Sequence, residues 1–391
     1  MPLFQANYPA SEPGKVTLLS TPERTRALSQ YTGKGVVIAF VDSGFYAHPD
    51  LGNRVLLHVD ATHDYIVEGQ PFHTAHDFSW HGQMTSVITA GSGRVSDGRY
   101  RGIASQAELV LIKVMNERYE VKEGDILRGL RWLLENHRRY NVRVVNLSVG
   151  GDDFSKDPHH PIFEAIHTLK TEGVIVIAAA GNRGVEEMVP PASSPDAITV
   201  GGVDDHNSAD RAHWTMYHSN YGKAYDGTRK PDLIAPAAWI PSPILPTTRV
   251  AEEALLLAPL LQSRDNRLLR RAIHEGRAEF GIKRRGLFYH DEKVHAILQE
   301  RIHAHKIVDA HHQHVDGTSV AAPILTSIVA QMLEIKPDLT PDGIRIILTA
   351  TADPLPNVPH EQQGAGVVNA ADAVKAVLNL VQPPPTKANP E

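Results

Sequence analysis

Five predominantly apolar runs alternate along this chain with segments of helical periodicity, and this alternation limits the folds that the chain can adopt. The runs cover residues 36–41, 109–114, 142–147, 174–180 and 197–200. Continuous apolar runs are typical of strands that are covered on both faces. Apolar residues recur at helical spacing in residues 126–134 and 163–169. We therefore predict an α/β fold, a doubly wound, mainly parallel sheet with helices on both faces.

Polar side chains stand just past the ends of three of these runs. Asp42, Ser148 and Asn182 follow the first, third and fourth runs. In doubly wound sheets, ligands bind outside the carboxyl ends of the strands. We therefore expect these three side chains to share one edge of the sheet.

A second informative stretch is DGTSVAAP, residues 316–323. Apolar residues recur at helical spacing after Ser319, so this serine is predicted to stand where a loop becomes a buried helix. A helix start offers unpaired N–H groups and the positive end of the helix dipole. Ser319 could be a nucleophile whose oxyanion product finds donors there, or it could be a helix cap. Pro323 should lie in the first turn, where a missing N–H is tolerated.

The chain also supplies the groups that acyl transfer requires. Such chemistry needs a nucleophile, a base, a carboxylate that orients the base, and donors for the oxyanion. Asp42, His81 and Ser319 supply the first three in the order Asp, His, Ser, and Asn182 with the Ser319 N–H supplies donors. His81 falls in a predicted loop region, residues 69–102. This order excludes the chymotrypsin type and the α/β-hydrolase type, and Ser319 lacks a Gly-x-Ser-x-Gly elbow.

Short segments around these residues resemble the subtilisin-like serine proteases, in that family's order. They are VDSG (41–44) with HPDL (48–51), HG (81–82) with AG (90–91), GIAS (102–105), VNLSVGG (145–151), AAGN (179–182), KPD (230–232) with AP (235–236), GTSVAAP (317–323) and GAGVVN (364–369). The resemblance runs from about residue 33 to residue 377. It departs after His81-Gly82, where Gln83 replaces the usual Thr, so the following helix is expected to pack differently.

The resemblance implies a subtilisin-like fold and a serine endopeptidase that hydrolyses peptide bonds through an acyl-enzyme on Ser319. Asp42 would orient His81, His81 would act as base and then acid, and Asn182 would hold the oxyanion. The segments that would line the primary specificity pocket and pair with an extended polypeptide substrate contain Ser148, Val149, Gly150, Ala178, Ala179 and Ala180. Two alternatives stay open: a catalytically silent relative that binds peptides, and a self-processing structural protein.

The order of segments predicts one peptidase domain, residues 26–380, between an N-terminal extension, residues 1–25, and a disordered Pro-rich tail, residues 381–391. A helical insertion at about residues 250–313 interrupts it, with helices predicted at 252–261, 265–279 and 292–304. The helices are amphipathic, so each needs an apolar partner. The insertion could form a wall or lid beside the cleft, a surface elaboration, or the contact of a homo-oligomer. A final helix is predicted to begin at Thr340-Pro341.

Composition narrows the remaining classes of function. The chain has no cysteine, which excludes disulfides and thiolate sites, and its net charge of −6 does not favour nucleic acid as a partner. No apolar run has the length of a membrane span, so no membrane partner is expected. The N-terminus lacks a signal-peptide pattern. We expect a cytoplasmic protein, or a secreted one if the sequence is a truncated mature form.

No cofactor or metal is required for the predicted chemistry. Structural calcium, which many members of the family use, is the alternative. Two acidic groups are candidate ligands: Asp152, Asp153 and Asp157, and Asp204, Asp205 and Asp210. Neither forms a complete calcium loop, so both are interpreted as solvated loops. The histidines at 303, 305, 311, 312 and 314 are likewise interpreted as a solvated loop rather than a zinc site.

Overall fold

Strands and helices alternate along the chain in the computed structural model, which describes residues 4–12, 17–151, 153–263, 265–276, 278, 280–282 and 292–381. The helices are α1 (Thr21–Thr25), α2 (Ser79–Ala90), α3 (Glu123–Asn136), α4 (Pro161–Thr171), α5 (Arg249–Gln262), α6 (Asn266–Glu275), α7 (Glu292–Ala304), α8 (Thr318–Ile335), α9 (Pro341–Ala350), α10 (His360–Gln363) and α11 (Ala370–Val381). The strands are β1 (Val37–Asp42), β2 (Val55–Asp60), β3 (Val67–Glu68), β4 (Glu108–Lys113), β5 (Val142–Leu147), β6 (Ile175–Ala179), β7 (Ile198–Asp204), β8 (Thr215–Met216), β9 (Gly222–Lys223), β10 (Arg229–Lys230), β11 (Leu233–Pro236), β12 (Ile240–Pro243) and β13 (His312–Val315).

The central sheet has the order β11-β7-β6-β5-β1-β4-β2-β3, with β8 paired to β7. Its neighbouring strands run parallel, except for the antiparallel pairs β2–β3 and β7–β8. All five predicted apolar runs are strands of this sheet. The predicted doubly wound, mainly parallel fold is confirmed.

Alternate residues of β1 serve two apolar cores, as the two-residue period of a strand requires. Ile38 and Phe40 face a core that also contains α2, α8 and α11 residues, whereas Val37, Ala39 and Val41 face the α3 and α4 side. Every residue of β1 is buried. Helices therefore cover both faces of the sheet, which explains why the strands are apolar throughout.

Helix α8 crosses the first of these cores. By length and composition it is the one helix among the described residues that could cross a membrane, with a mean hydropathy of 1.4 over 18 residues. In this fold 83% of that window is buried inside the protein. Its apolar character is therefore accounted for by the core of the domain.

The predicted loop region between residues 69 and 102 is wrong for residues 79–90, which form α2. This helix is buried on nearly all sides, from Gly82 to Ala90. A helix without a solvated face lacks the one-sided apolar stripe by which sequence patterns reveal helices. Thr340 does cap α9, since its Oγ1 accepts a hydrogen bond from the Gly343 N–H at 3.1 Å. That helix is not the final one, because α10 and α11 follow it.

The insertion leaves and re-enters the domain through the antiparallel pair β12–β13. Its helices α5, α6 and α7 bury apolar residues against one another, among them Leu257, Leu269 and Leu298. Phe4, from the N-terminal segment, joins the same cluster. The apolar faces of these helices thus find partners within the chain.

The histidines near the insertion do not all lie in a solvated loop. His312 and His314 belong to β13 and are only 2% and 1% exposed. His312 packs edge-on against Tyr100, and His314 lies against Trp239. The solvated-loop interpretation is therefore wrong for these two side chains, because β13 runs beneath aromatic residues that are distant in the sequence.

Part of the segment predicted as an N-terminal extension is tied into the domain by Arg24. This side chain is fully buried and pairs with the carboxylate of Asp205. It also donates to the carbonyls of Leu19 and Trp239, at 2.9 and 2.8 Å, and to Asn207 Oδ1 at 3.0 Å. The described residues of the predicted tail end at Val381, and residues 382–391 lie outside them.

Arg24→Ala should destabilise the fold by about 3–5 kcal/mol, because it leaves the buried charge of Asp205 without its partner. Chemical denaturation measures the change in the free energy of unfolding. The matched control is Arg131→Ala, at an exposed position of α3, where a change within about 0.5 kcal/mol is expected. Equal effects of the two substitutions would contradict a structural role for Arg24.

Candidate active site

The carboxylate of Asp42 lies at the carboxyl end of β1, in the middle of the sheet, and is completely buried. Its Oδ1 accepts hydrogen bonds from the Ser43 N–H and from His81 Nδ1, both at 2.6 Å. Its Oδ2 accepts one from Thr85 Oγ1 at 2.9 Å. A buried carboxylate is stable only when such donors surround it, so this group fixes the elements that supply them.

His81 sits in the first turn of α2, and 27% of its side chain is exposed. Burial lowers the pKa of His81, but the charge of Asp42 and the hydrogen bond to it raise this pKa by more, so that it lies above the usual 6.5. Gly82 lets α2 approach the end of β1, since a Cβ there would come within 2.2 Å of the Gly44 carbonyl oxygen. The imidazole is thus oriented by Asp42 and keeps a path to solvent.

Ser319 is the second residue of α8, as predicted for a serine at a helix start. Gly317 precedes the helix with a φ of 140°, in the region that favours glycine. A Cβ at Gly317 would lie 3.2 Å from Ser319 Oγ and 3.6 Å from Asn182 Nδ2. The hydroxyl and the amide nitrogen therefore border the same small space in front of Gly317.

The side chain of Asn182 is held by the residue that precedes Ser319. Its Oδ1 accepts hydrogen bonds from the N–H and the Oγ1 of Thr318, at 2.8 and 3.0 Å. Thr318 Oγ1 in turn accepts from the Gly181 N–H at 3.0 Å. Because Oδ1 is taken by these donors, Nδ2 is the amide atom left to donate to a negative charge that develops near Gly317.

A buried polar chain joins the end of β5 to α8. Thr326 Oγ1 donates to Asn146 Oδ1 at 3.1 Å, Asn146 Nδ2 donates to Ser148 Oγ at 2.9 Å, and Ser148 Oγ lies 3.4 Å from the Ser319 carbonyl oxygen. The Ser319 carbonyl is open to Ser148 because Pro323, four residues further on, has no N–H to offer it. The expectation that Pro323 lies in the first turn is wrong: it is the sixth residue of α8.

The predicted substrate-binding residues differ in their access to solvent. Gly150 is exposed, and Val149 and Ala179 are partly exposed, whereas Ser148, Ala178 and Ala180 are buried. Ala178 lies inside the sheet, between Leu147 and Thr199. A bound chain could therefore reach Gly150, Val149 and Ala179 directly, whereas the side chains of Ala178 and Ala180 are covered by the protein.

Sequence reasoning missed three residues that hold this site together: Thr85, Thr318 and Asn146. The signal for Thr85 was its spacing, since it lies four residues after His81 and hence on the same face of α2. Thr318 and Asn146 stand next to predicted residues, but nothing local indicates their partners. Their hydrogen bonds join segments that are 136 and 180 residues apart.

The second group of candidate calcium ligands makes contacts within the protein, and the solvated-loop interpretation is wrong for Asp205, which is fully buried. Asp205 pairs with Arg24, Asp204 accepts from the indole of Trp239 at 3.1 Å, and Asp210 caps a short helical turn. Asp152 lies outside the described residues. Within the described ranges, no three His, Asp or Glu side chains are grouped so as to hold a metal ion.

Comparison with known proteins gives a consistent result. A profile of the subtilase family matches residues 33–366. The serine protease AprX of Bacillus subtilis is 28% identical over 351 residues, which cover 88% of this chain and 67% of AprX. Subtilisin Savinase of Lederbergia lenta is 32% identical over 187 residues, covering 48% of this chain and 61% of that protein. The fold is similar to fervidolysin from Fervidobacterium pennivorans, with a TM-score of 0.60, 21% identity, and coverage of 91% of this chain and 44% of that one.

The pKa of His81 should lie above 6.5 in the wild type and fall below it in Asp42→Asn. The substitution removes the charge that favours imidazolium and leaves burial, which disfavours it, unopposed. NMR titration of the imidazole Cε1–H resonances measures both values. His58 is the internal control, because burial lowers its pKa and Asp42 does not contribute to it. A His81 pKa that is the same in both proteins would contradict the role given to Asp42.

Proposed function

The chain belongs to the subtilase family, and from that premise we propose that it is a serine endopeptidase that uses Asp42, His81 and Ser319 as its catalytic triad. One observation carries the assignment of residues. His81 is hydrogen-bonded to a fully buried Asp42 at 2.6 Å, at the sheet edge where the Ser319 hydroxyl and the Asn182 amide border one space. A nucleophile, an oriented base and an oxyanion donor are the parts that acyl transfer requires.

In the proposed reaction, Ser319 Oγ attacks the carbonyl carbon of the scissile peptide bond while His81 takes its proton. Asn182 Nδ2 and the Ser319 N–H donate to the oxyanion that forms. His81 then gives the proton to the leaving amine. Water next attacks the acyl carbon and gives its proton to His81, and the ester bond to Ser319 breaks as His81 returns a proton to Oγ. Because imidazolium cannot accept a proton, activity is expected to fall as the pH drops through the pKa of His81.

The acyl half of an extended substrate would run beside residues 148–150, with its main-chain groups paired as an added strand. Two contacts support a shallow primary pocket next to this segment. Val189 Cγ2 would lie 3.5 Å from a Cβ on Gly150, and the Gly151 N–H donates to the Pro190 carbonyl at 2.8 Å. A substrate side chain that enters along Gly150 would therefore contact Val189 after a short distance. The pocket is shallow for this reason and favours small side chains.

Arg183 directly follows Asn182, so its positive charge could in principle disfavour basic substrate side chains. The structure does not support such a preference. The Arg183 guanidinium pairs with Glu187 at 2.5 Å, and both side chains are exposed. Exposed pairs of this kind have a weak external field, further reduced by salt. We therefore assign the selectivity of the primary pocket to its size rather than to its charge.

Cytoplasmic location, homo-oligomer formation through the insertion and structural calcium stay predictions.

The alternative is a catalytically silent or self-processing relative. A peptide-binding protein does not need a buried carboxylate to orient a histidine, so the hydrogen bond between Asp42 and His81 favours the enzyme. A protease that acts only on itself would cleave no added substrate after the first event. Repeated turnover of an added peptide separates these possibilities.

Ser319→Ala should abolish turnover of added peptides and labelling by a fluorophosphonate, with the circular dichroism spectrum retained. Asn182→Ala should lower kcat by about 10²–10³-fold with little change in KM, a size measured for the equivalent donor in a subtilisin. Steady-state kinetics on a peptide p-nitroanilide measures both variants. Turnover by Ser319→Ala near the wild-type rate would show a different nucleophile, and an effect of Asn182→Ala mainly on KM would place that side chain in ground-state binding.

Val189→Gly should raise kcat/KM for substrates with Phe or Leu before the scissile bond, relative to Ala, by about tenfold, because it opens the floor of the primary pocket. The matched control is Val185→Gly, on the same loop, where the side chain is 39% exposed. The control should leave the ratio of Phe to Ala substrates unchanged. An identical ratio in the wild type and in Val189→Gly would refute the assignment of Val189 to the pocket.

A further inference from the structure

A groove of about 490 Å³ lies between the first turn of α2 and the base of the insertion. Trp80 forms one wall, and Ile244, Leu245 and Val250 contribute apolar surface on the other side. Asp77 and Arg249 also line it, and both are exposed. The groove is therefore an apolar trough with charged groups at its rim, and the insertion supplies most of one wall.

The insertion wall is fixed by its own hydrogen bonds. The Ile244 N–H donates to the His311 carbonyl at 2.8 Å, which extends the ladder of β12 and β13. Thr248 Oγ1 donates to the Leu245 carbonyl at 2.7 Å and accepts from the Ala251 N–H at 3.3 Å, so that it caps α5. Side chains on a capped helix start and a paired strand are held in place, and the wall is preformed rather than built around a ligand.

The groove adjoins both halves of the proposed catalytic machinery. Trp80 directly precedes His81, and their rings meet edge-on with centroids 6.1 Å apart. Gln313, which also lines the groove, belongs to β13, the strand that leads to Ser319. The elements β5 and β6, beside which the acyl half of the substrate would lie, contribute no lining residue. Because His81 gives its proton to the leaving amine, the leaving half of the substrate starts at His81 and continues toward this groove.

We propose that this groove binds the side chain of the second residue after the scissile bond and selects an apolar one. The inference rests on the proposed function. The leaving nitrogen belongs to the first residue after the scissile bond, so the second residue begins about 3.3 Å further along an extended chain. Its side chain can then reach Trp80, whose ring centroid lies 6.1 Å from that of His81. A leucine there would replace water against Trp80 and Val250, which are partly exposed, and this favours binding.

The experiment uses the acyl-enzyme, which an added amine can attack in place of water. The amine forms a new amide with the acyl group, the ester bond to Ser319 breaks, and the proton of the amine passes through His81 to Ser319 Oγ. The full chain is given a peptide p-nitroanilide together with Gly-Leu amide, Leu-Gly amide or Gly-Gly amide, and the ratio of new peptide to hydrolysis product is measured. Gly-Leu amide, which places leucine in the second position, should give about a fivefold higher ratio than either of the others.

Val250→Asp puts a charge into the groove and should bring the three ratios together. The matched control is Leu255→Asp, on the same helix, where the side chain is 56% exposed and faces away from the groove lining. It should leave the wild-type preference intact. The comparison of the three amides in the wild type tests the inference even if Val250→Asp fails to fold.

The outcomes separate the two proposals. If p-nitroaniline is released but the three amides give the same ratio of new peptide to hydrolysis product, the inference about the groove is overturned and the proposed function stands. A preference for Leu-Gly amide would also overturn it, because the leucine would then be read at the first position. No release of p-nitroaniline by the wild type would overturn the proposed function, and this inference with it.

Discussion

The carboxylate of Asp42 is the group around which the site is arranged. It is fully buried at the end of the central strand, where an unpaired charge would be costly, and three donors satisfy it: the Ser43 N–H, Thr85 Oγ1 and His81 Nδ1. Two of these donors lie on α2, so the demand of one carboxylate sets both the position and the rotation of that helix. The same contacts orient the imidazole and raise its pKa above the usual value. Fold and chemistry thus share a single electrostatic requirement.

The nucleophile end of the site depends on hydrogen bonds rather than on charge. Thr318 turns the Asn182 amide, and the chain from Thr326 through Asn146 to Ser148 ends near the Ser319 carbonyl. Pro323 has no N–H group, so the Ser319 carbonyl receives no hydrogen bond from it within the helix and stays open to Ser148. The ends of β5 and β6 therefore meet α8 through the supporting side chains of Thr318, Thr326 and Asn146.

The insertion changes the surroundings of the site without changing the sheet. It enters through a two-stranded ribbon, has an apolar cluster of its own that also takes in Phe4, and centres its polar contacts on the buried carboxylate of Glu253, which Arg249 and His305 approach at 2.7 and 2.9 Å. Because β13 leads into the loop of Ser319 and Trp80 directly precedes His81, the base of the insertion lies beside the proposed catalytic residues. A segment that is autonomous in packing can in this way alter which substrates reach an unchanged reaction centre.

The sequence by itself determined the sheet, because strands buried on both faces must be apolar, and their runs and polar ends are visible without knowing any partner. It also led to the prediction that Asp42, His81, Asn182 and Ser319 form the site, through short segments in a fixed order. Its periodicity did not reveal α2, which has no solvated face and is expected only from the family resemblance. Nor did it reveal the burial of His312 and His314, or the ion pair of Arg24 with Asp205, 181 residues away. Only the tertiary structure decided those features, together with the hydrogen bonds of Thr85, Thr318 and Asn146 and the groove beside Trp80. A local sequence pattern reflects which residues are buried and which are exposed to solvent. These contacts depend instead on which distant segments the fold brings together.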